Sequence, residues 1–387
     1  MAHILASLPD QNPDSLNVRH GAGLRLKNHI LYYNYMSWSP VVRLYVTTHS
    51  VNTIAHPQRA LRKVVGQVVA AIASVDHVAG WQLLQHLVQL LTQLLATPQN
   101  MDVHAVDGIV MGISQICEDS DLRKQLESEE AQRVLNVMFQ SLISLFHHND
   151  LNVRRAALGT VNQFLVSSSI PRSLAHNFDG YRAGLFYLVA DPDMKIRRKV
   201  CSAFVALVEK KCEVLGEHLA DVINFMLEST QSPDEGVALT ACEFWQVYCE
   251  ANATSKQLLS QMIPKLVPVL LNAMVYSDME LRSITSNEDE SVPDRKEDIA
   301  PTHHRSKQVG VEEDFDEGGN EQEMMWNLRK CAALALDVLA GFYGEFLFTE
   351  LLKHLHANLD DRNPWKVRES AVLALGAVAE GIHNTIK

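Results

Sequence analysis

The sequence lacks several features that would place it in familiar protein classes. None of its apolar runs reaches the roughly 18 residues that a membrane-spanning helix needs, and the longest candidate, 81–96, is interrupted by Gln and His. Its first residues show no basic segment followed by an apolar stretch, so we expect no secretory signal. Glycine and proline are modest, at 18 and 13 of 387 residues, and 47% of the residues are hydrophobic. This composition predicts a folded chain with a packed hydrophobic core.

Motifs for catalysis and for metal binding are missing as well. The six cysteines form no C-x-x-C pair and lie mostly in apolar patterns, which predicts buried thiols in a reducing compartment. There is no P-loop, no G-x-G-x-x-G, no H-E-x-x-H and no G-x-S-x-G. The histidine pairs at 147–148 and 303–304 have no partners at metal-ligand spacing. We therefore expect that the protein is not an enzyme and that it binds no metal and no cofactor.

One short pattern does recur: an aliphatic residue, usually followed by Arg, opens an Ala- and Leu-rich stretch. Its aliphatic positions, which we call anchors, are Val18, Leu61, Val106, Val153, Ile196, Val237, Leu328 and Val367. The Arg is absent after Val106 and Val237, where Asp107 and Ala238 follow. Successive anchors are 43, 45, 47, 43, 41, 91 and 39 residues apart. Six of these seven steps fall near the 40–47 residues of HEAT and armadillo repeats.

The stretch after each anchor has helical periodicity. The 153–164 segment has one apolar stripe at spacings of three and four, formed by Val153, Ala156, Ala157, Thr160, Val161 and Phe164. The turns before the anchors are rich in Asp, Asn and Ser, which can accept hydrogen bonds from the first helical turn. No stretch alternates with period two. We predict an all-α HEAT-repeat solenoid, a superhelical array of about eight hairpins with the first and last incomplete.

The step of 91 residues predicts an insertion within one repeat. Residues 278–323 hold 15 Asp and Glu against 5 Lys and Arg, a net charge of −10 in a chain of −12. The segment has few aliphatic residues, so we expect a disordered acidic loop. It either only solvates the protein or attracts a basic partner. The predicted organisation is thus N-terminal repeats at 1–277, the acidic loop at 278–323 and further repeats at 324–387. No basic stripe with interleaved aromatics indicates nucleic-acid binding.

Several sequence segments resemble those of one family of binding proteins. GLRLKNHI at 23–30 is similar to a helix of importin-β-type nuclear transport receptors. QICEDS, RKVCSAFVALVE, MWNLRKCAALALDVLA and VRESAVLALGAVAEG look like the transportin (karyopherin-β2) branch, in the same order and with the acidic insertion in the same repeat. The resemblance extends from about residue 16 to 381. By the same comparison, we expect the chain to lack the family's first repeat and to stop near the ninth.

The resemblance implies a superhelical receptor that carries cargo with proline–tyrosine-type nuclear localisation signals through nuclear pores. It implies three kinds of partner: the small GTPase Ran in its GTP form, such cargo proteins, and nuclear pore proteins. It also implies shuttling between cytoplasm and nucleus, with no membrane insertion and no direct nucleic-acid contact. Second helices of the early repeats would face Ran. The candidate Ran contacts are Lys27, Asn28, Glu118 and Asp119. The acidic loop, which would help to eject cargo, has as its best candidates Glu312, Glu313, Asp314, Asp316 and Glu317.

A second hypothesis is a non-transport HEAT scaffold, such as a phosphatase scaffold subunit. It predicts no partner whose binding depends on a nucleotide, whereas the receptor hypothesis predicts a preference for Ran-GTP over Ran-GDP. An enzyme is the hypothesis with the least support in the sequence.

Overall fold

The computed structural model describes residues 1–7, 13–97, 99, 101–118, 128–167, 169–251, 256–278, 280–281, 326–360 and 362–383. Within these ranges every regular element is a helix, as predicted, and no strand occurs. The chain divides into two compact units, and the boundary along the chain lies between Ile196 and Arg197. No helix in the described ranges has the length and apolar character that a membrane crossing requires.

The helices of the first unit form successive hairpins. They are α1 (Ala2–Ser7), α2 (Pro13–Tyr32), α3 (Pro40–Thr53), α4 (Arg59–Val75), α5 (His77–Leu95), α6 (Val103–Cys117), α7 (Glu129–Ser144), α8 (Leu151–Val166), α9 (Arg172–Ala175) and α10 (Phe178–Leu188). The unit boundary lies inside the next helix, α11 (Met194–Lys211). The second unit continues with α12 (Leu219–Thr230), α13 (Glu235–Ala251), α14 (Lys256–Ser260), α15 (Ile263–Ala273), α16 (Leu328–Tyr343), α17 (Glu345–Asn358) and α18 (Trp365–Val378).

All eight anchors lie in the second helix of a hairpin, which confirms the repeat inferred from their spacing. These second helices are α2, α4, α6, α8, α11, α13, α16 and α18. In the first unit α2, α4, α6 and α8 pack against one another in turn, and in the second unit α13, α16 and α18 do the same. We call each row the second-helix layer of its unit. The first hairpin has a short first helix of 6 residues, but the eighth contains both α17 and α18, so the expectation of an incomplete last pair was wrong.

The second helices begin where the sequence predicted them, because polar side chains in the turns hold their first amides. The Asp150 carboxylate accepts hydrogen bonds from the amides of Asn152 and Val153 at 2.8 and 3.1 Å. Asp193 and Asp234 each accept one from the amide three residues ahead, at 2.9 Å. Such capping bonds satisfy amides that have no partner inside the helix, and each contributes about 1 kcal/mol.

Aliphatic and aromatic side chains fill the space between the two helices of each hairpin. On α8, five residues of the predicted stripe are buried and Ala156 is half-buried; the buried ones are Val153, Ala157, Thr160, Val161 and Phe164. The Phe164 ring meets Phe139 of α7 edge to face at 5.1 Å. In the second unit Trp245 is fully buried, and its indole N–H donates to Thr230 Oγ1 at 3.2 Å. Burying side chains of this size is the main stabilising term of a repeat array.

The cysteines behave as the sequence predicted. All six lie within the described residues and none forms a disulfide; five of them are buried, and Cys212 is half-buried. Burial raises the pKa of the Cys201 thiol to about 12, which keeps it protonated and unreactive at neutral pH.

The acidic insertion leaves the repeat at the turn between α15 and α16. Of the predicted loop, 278–323, only Asp278, Glu280 and Leu281 lie within the described residues. Glu280 accepts hydrogen bonds from the Ser277 amide at 2.7 Å and from the Asn327 side chain at 2.7 Å, so the two ends of the insertion lie side by side. The two helices therefore form one hairpin in spite of the long connection.

Because the two ends meet, the insertion can be removed without separating the helices. We expect a chain in which a six-residue Gly/Ser linker replaces residues 282–325 to keep its helicity. Its free energy of unfolding should stay equal or rise by up to about 2 kcal/mol, since a shorter connection loses less entropy on closure. Circular dichroism during urea titration measures both the helicity and the free energy of unfolding. The variant Glu280→Gln in the intact chain is the control for the contacts of Glu280 with Ser277 and Asn327. A drop of several kcal/mol in the shortened chain would show that the insertion is part of the repeat's core.

Candidate partner-binding site

In four hairpins, those of α4, α8, α16 and α18, the Arg that follows the anchor binds the turn before the second helix. The Arg62 guanidinium donates to the carbonyls of His56 and Pro57, at 2.7 and 2.8 Å, in the turn before α4. Arg154 donates in the same way to His148 and Asn149 at 2.9 and 3.0 Å. We call this arrangement the arginine clamp. It satisfies carbonyls of the turn and fixes the angle at which the second helix starts.

The other end of the clamp guanidinium binds an acidic residue of the next repeat. Arg154 Nε donates to Asp191 at 2.8 Å, and Arg329 binds Glu369 through two nitrogens at 2.5 and 2.6 Å. Both acids come from the hairpin that follows along the chain. Bidentate arginine–carboxylate pairs are among the stronger polar contacts in proteins. The clamps of Arg62, Arg154 and Arg329 therefore fix α4, α8 and α16 to their own turns and also to the neighbouring repeat.

Asp107 explains why one copy of the sequence pattern lacks its Arg. Asp107 stands directly after the anchor Val106 on α6 and accepts from Arg62 Nη2 at 2.6 Å and from Arg62 Nε at 2.9 Å. The side chains of Arg62 and Asp107 are only 5% and 3% exposed. The weaker copy thus supplies the acid for the clamp of the preceding repeat.

In the repeat with the insertion, the clamp joins Arg329, which follows the inserted segment in the sequence, to the end of α15, which precedes it. Arg329 Nη1 donates to Met274 O at 2.9 Å, the carbonyl just after α15, and the guanidinium lies 3.8 Å from the centre of the Tyr276 ring. Burial disfavours the charge of Arg329, but the hydrogen bond to Glu369 and the nearby Tyr276 and Glu280 outweigh burial and raise the pKa of Arg329. Lys366 also binds Asp278, the first residue of the insertion, at 3.5 Å.

The first two predicted contact residues lie in the C-terminal part of α2. Asn28 is exposed and Lys27 is half-buried, while Leu26 and Ile30 on the opposite side of the helix are buried. The helical period of 3.6 residues therefore directs Asn28 to solvent. Both residues belong to the second-helix layer of the first unit.

Glu118 lies in the same layer, at the C-terminal end of α6. It is exposed, and its amide donates to Ser114 O at 3.1 Å while the neighbouring Cys117 is buried. Because α4 packs between α2 and α6, Glu118 and the pair Lys27–Asn28 share a layer but sit on helices that are not adjacent. Asp119 lies outside the described residues, as do the loop candidates Glu312, Glu313, Asp314, Asp316 and Glu317.

The arginine clamps were not recognised from the sequence, although the signal was present. An acid 37 to 45 residues further on, near the start of the next second helix, would have indicated the pairs of Arg62, Arg154 and Arg329. Among the described residues, no group of three or more His, Cys, Asp or Glu is arranged to hold a metal ion.

Similarity to known proteins fits this architecture. No family model matches the chain. Mouse (Mus musculus) transportin-1 is 35% identical over 378 residues, an alignment that covers 93% of this chain and 40% of the relative. Importin subunit beta-2 of Schizosaccharomyces pombe is 33% identical over 396 residues, covering 95% of this chain and 42% of the relative. The chain thus spans about two fifths of the length of these curated relatives.

Solved structures show the same fold at lower sequence identity. A crystal structure of importin beta superposes on all of this chain and on 42% of its own with a TM-score of 0.70 at 18% identity. A structure of Kap95p, described as inducing the switch loops of RanGDP to adopt the GTP-bound conformation, covers 98% of this chain and 40% of its own with a TM-score of 0.64 at 17% identity.

The aliphatic–Arg period, the two second-helix layers and the sequence identity along nearly the whole chain agree. This chain is thus similar in sequence to transportin-1 and to importin subunit beta-2, and it has the helical-repeat fold of importin beta.

Proposed function

We propose that this chain acts in nuclear import and binds the GTP form of Ran through the second-helix layer of its first unit. The observation that carries the proposal is the identity of 33–35% with transportin-1 and importin beta-2 over 93–95% of the chain. The Kap95p structure, which has the same fold, was studied with RanGDP, so a GTPase of this class fits the architecture. The exposed positions of Asn28 and Glu118 on second helices make them available to such a partner.

The cargo proposed for this receptor carries a proline–tyrosine-type nuclear localisation signal. This part of the proposal rests on the resemblance to transportins. The acidic segment 278–323, with a net charge of −10, would attract basic cargo segments or compete with them electrostatically. Nuclear pore proteins and shuttling between cytoplasm and nucleus belong to the same proposal.

Charge reversal tests the Ran surface. We expect Lys27→Glu and Glu118→Lys each to weaken the binding of Ran loaded with a non-hydrolysable GTP analogue by about tenfold, or roughly 1.4 kcal/mol. Binding of the wild-type chain should be much tighter to Ran-GTP than to Ran-GDP, and it should weaken with added salt because exposed charges are screened. Isothermal titration calorimetry gives these affinities.

The matched controls reverse charges on α7, a first helix of the same unit. Arg133→Glu and Glu130→Lys change exposed residues there and should leave the affinity within about twofold of wild type. Equal affinity for Ran-GTP and Ran-GDP would contradict the proposal and favour the HEAT scaffold without a nucleotide-dependent partner. Equal losses in the α7 variants would show that the effect is not specific to the second-helix layer.

A further inference from the structure

Ser39, the residue before α3, presents an exposed hydroxyl whose proton has no acceptor among the described residues. Its Oγ makes one contact, as the acceptor of a hydrogen bond from the Val42 amide, and at 3.4 Å that bond is long. The neighbouring Ser37 and Pro40 are exposed as well. The backbone at Trp38 and Ser39 is extended, with φ and ψ of −68° and 146° at the first and −59° and 147° at the second. An enzyme that binds an extended peptide can therefore reach this hydroxyl.

The proline after Ser39 indicates which class of enzyme this hydroxyl suits. Proline-directed protein kinases modify a serine or threonine that is followed directly by proline. The chain has this pattern at three positions, which are Ser39–Pro40, Thr97–Pro98 and Ser232–Pro233. Thr97 donates its hydroxyl proton to two carbonyls of α5, at 3.3 and 3.4 Å, and Ser232 is half-buried and accepts from the Asp234 amide at 3.2 Å. Of the three hydroxyls, only that of Ser39 is both exposed and without an acceptor in the described ranges.

The charge distribution around Ser39 favours an added anion. Residues 15–75 contain seven Lys and Arg but no Asp or Glu, in a chain whose net charge is −12. Arg43 follows Ser39 by four residues, a spacing at which side chains on a helix are neighbours. Arg43 Nη1 lies 3.7 Å from Met36 Sδ, so the guanidinium is directed back towards the turn that contains Ser39. A phosphate on Ser39 would thus lie in a positive field with an arginine close by.

The Arg43 guanidinium has donors to spare for such a phosphate. Both of its contacts, with Met36 Sδ and with Asp76 Oδ2 at 3.1 Å, are made by Nη1. Nε is buried and, like Nη2, has no hydrogen-bond partner in the part of the chain that the structure describes. Phosphates bind guanidinium groups through two nitrogens at once. A phosphate can therefore take the Nε–Nη2 edge while Nη1 continues to offset the charge of Asp76.

We propose that Ser39 is a phosphorylation site for a proline-directed serine/threonine kinase and that Arg43 binds the phosphate. In the transfer, Ser39 Oγ forms a bond to the γ-phosphorus of ATP while the bond from that phosphorus to the β–γ bridging oxygen breaks. ADP leaves, and the hydroxyl proton passes to a base of the kinase and then to water. The product carries a charge of about −1.5 to −2 at the start of α3.

The phosphate would join two helices of the first unit. Arg43 already holds Asp76, and Asp76 Oδ1 accepts from the Ala79 amide at 3.0 Å in the first turn of α5. With a phosphate on its free edge, Arg43 would bridge the start of α3 to the start of α5. We therefore expect phosphorylation to stabilise this hairpin and its neighbour, and not to loosen them.

Phosphate incorporation tests the site. The folded full chain, incubated with ATP and a cyclin-dependent or mitogen-activated protein kinase, should gain one phosphate, which tandem mass spectrometry places on Ser39. Ser39→Ala should abolish this product, and Pro40→Ala, which keeps the serine, should slow its formation by about tenfold or more. The matched control Pro233→Ala should leave the rate unchanged. Circular dichroism verifies that each variant folds.

Three results would overturn the assignment. One is a kinase that modifies its standard peptide substrate but leaves the native chain unmodified. Another is phosphate on Thr97 or Ser232 in place of Ser39. The third is a Pro40→Ala variant that is modified as fast as wild type, because the enzyme would then not be reading the proline.

The melting temperature tests the role of Arg43. Phosphorylated wild type should melt about 2 °C above the unmodified chain, and added salt should reduce this difference. In Arg43→Gln the difference between the phosphorylated and unmodified forms should vanish, whatever the variant's own stability. Arg25→Gln, a change at an exposed arginine of α2, should preserve it. An unchanged difference in Arg43→Gln, or a phosphate that lowers the melting temperature of wild type, would refute the bridge. None of these readouts involves Ran, so they are independent of the proposed function.

Discussion

Replacing Asp107 with leucine should destabilise the repeats around α4 and α6 by about 3–5 kcal/mol. The substitution removes the carboxylate that accepts two hydrogen bonds from Arg62, at 2.6 and 2.9 Å. The buried guanidinium would keep only neutral partners, the carbonyls of His56 and Pro57 and the ring of His104, and an uncompensated buried charge is costly. Stacked repeats can unfold in part, so hydrogen exchange of the α4 and α6 amides should accompany urea titration.

Two further variants separate this explanation from a general loss of packing. The double variant Arg62→Met with Asp107→Leu replaces both charges with apolar groups and should recover most of the stability. Glu129→Leu breaks an exposed pair with Arg172, whose side chains are 77 and 66% exposed, and should change stability by less than about 1 kcal/mol. A double variant as unstable as Asp107→Leu alone would mean that the clamp's bonds to the turn, and not the buried charge, dominate.

Replacing Gly108 with alanine should be at least as damaging, at about 3 kcal/mol or more. A Cβ at this position of α6 would lie 1.8 Å from the carbonyl oxygen of Ile54 and 2.9 Å from its carbonyl carbon. Ile54 caps α3, and its own amide is bonded to Val51 O at 3.1 Å, so the obstacle is backbone held in place. We expect a lower melting temperature and faster hydrogen exchange in α3, α4 and α6.

The opposite result is expected for a glycine in open space. Gly376 lies in α18 with nothing within 4 Å of the added Cβ, so Gly376→Ala should stabilise the chain by about 0.5–1 kcal/mol through helix propensity. Gly112→Ala on α6 is intermediate, because its Cβ would meet the flexible ends of Ile54 and Leu87 at 3.1 Å. If Gly108→Ala had as little effect as Gly112→Ala, α6 would be free to move away from Ile54.

The comparison of sequence and structure shows which physical signals are local. The anchors and the capping residues Asp150, Asp193 and Asp234 were predictable, since periodicity and N-capping depend on neighbours within about four residues. The partner of Arg62 and the tight contact of Gly108 were not, because each joins residues about 45 to 54 positions apart. The layer that holds Lys27, Asn28 and Glu118 followed from the repeat register, but their role in binding stays a prediction.

A further division of the chain had no signal in the sequence. The organisation predicted from charge and composition, with an acidic loop at 278–323 between two sets of repeats, stays a prediction. The two compact units divide at Ile196–Arg197, within a continuous helix. Compactness depends on how densely neighbouring hairpins pack, and a repeat pattern that looks alike on both sides gives no sign of it.

The clamp formed by Arg329 has a practical consequence for protein engineering. The groups that close the α15–α16 hairpin, Arg329 with Met274 O and Asn327 with Glu280, all lie at or beyond the edges of the acidic segment. We therefore expect closure of the hairpin to tolerate changes in the length and content of the polypeptide between them. This junction is a natural graft point, where an epitope, a fluorescent domain or a protease site could be spliced in while the neighbouring repeats keep their register.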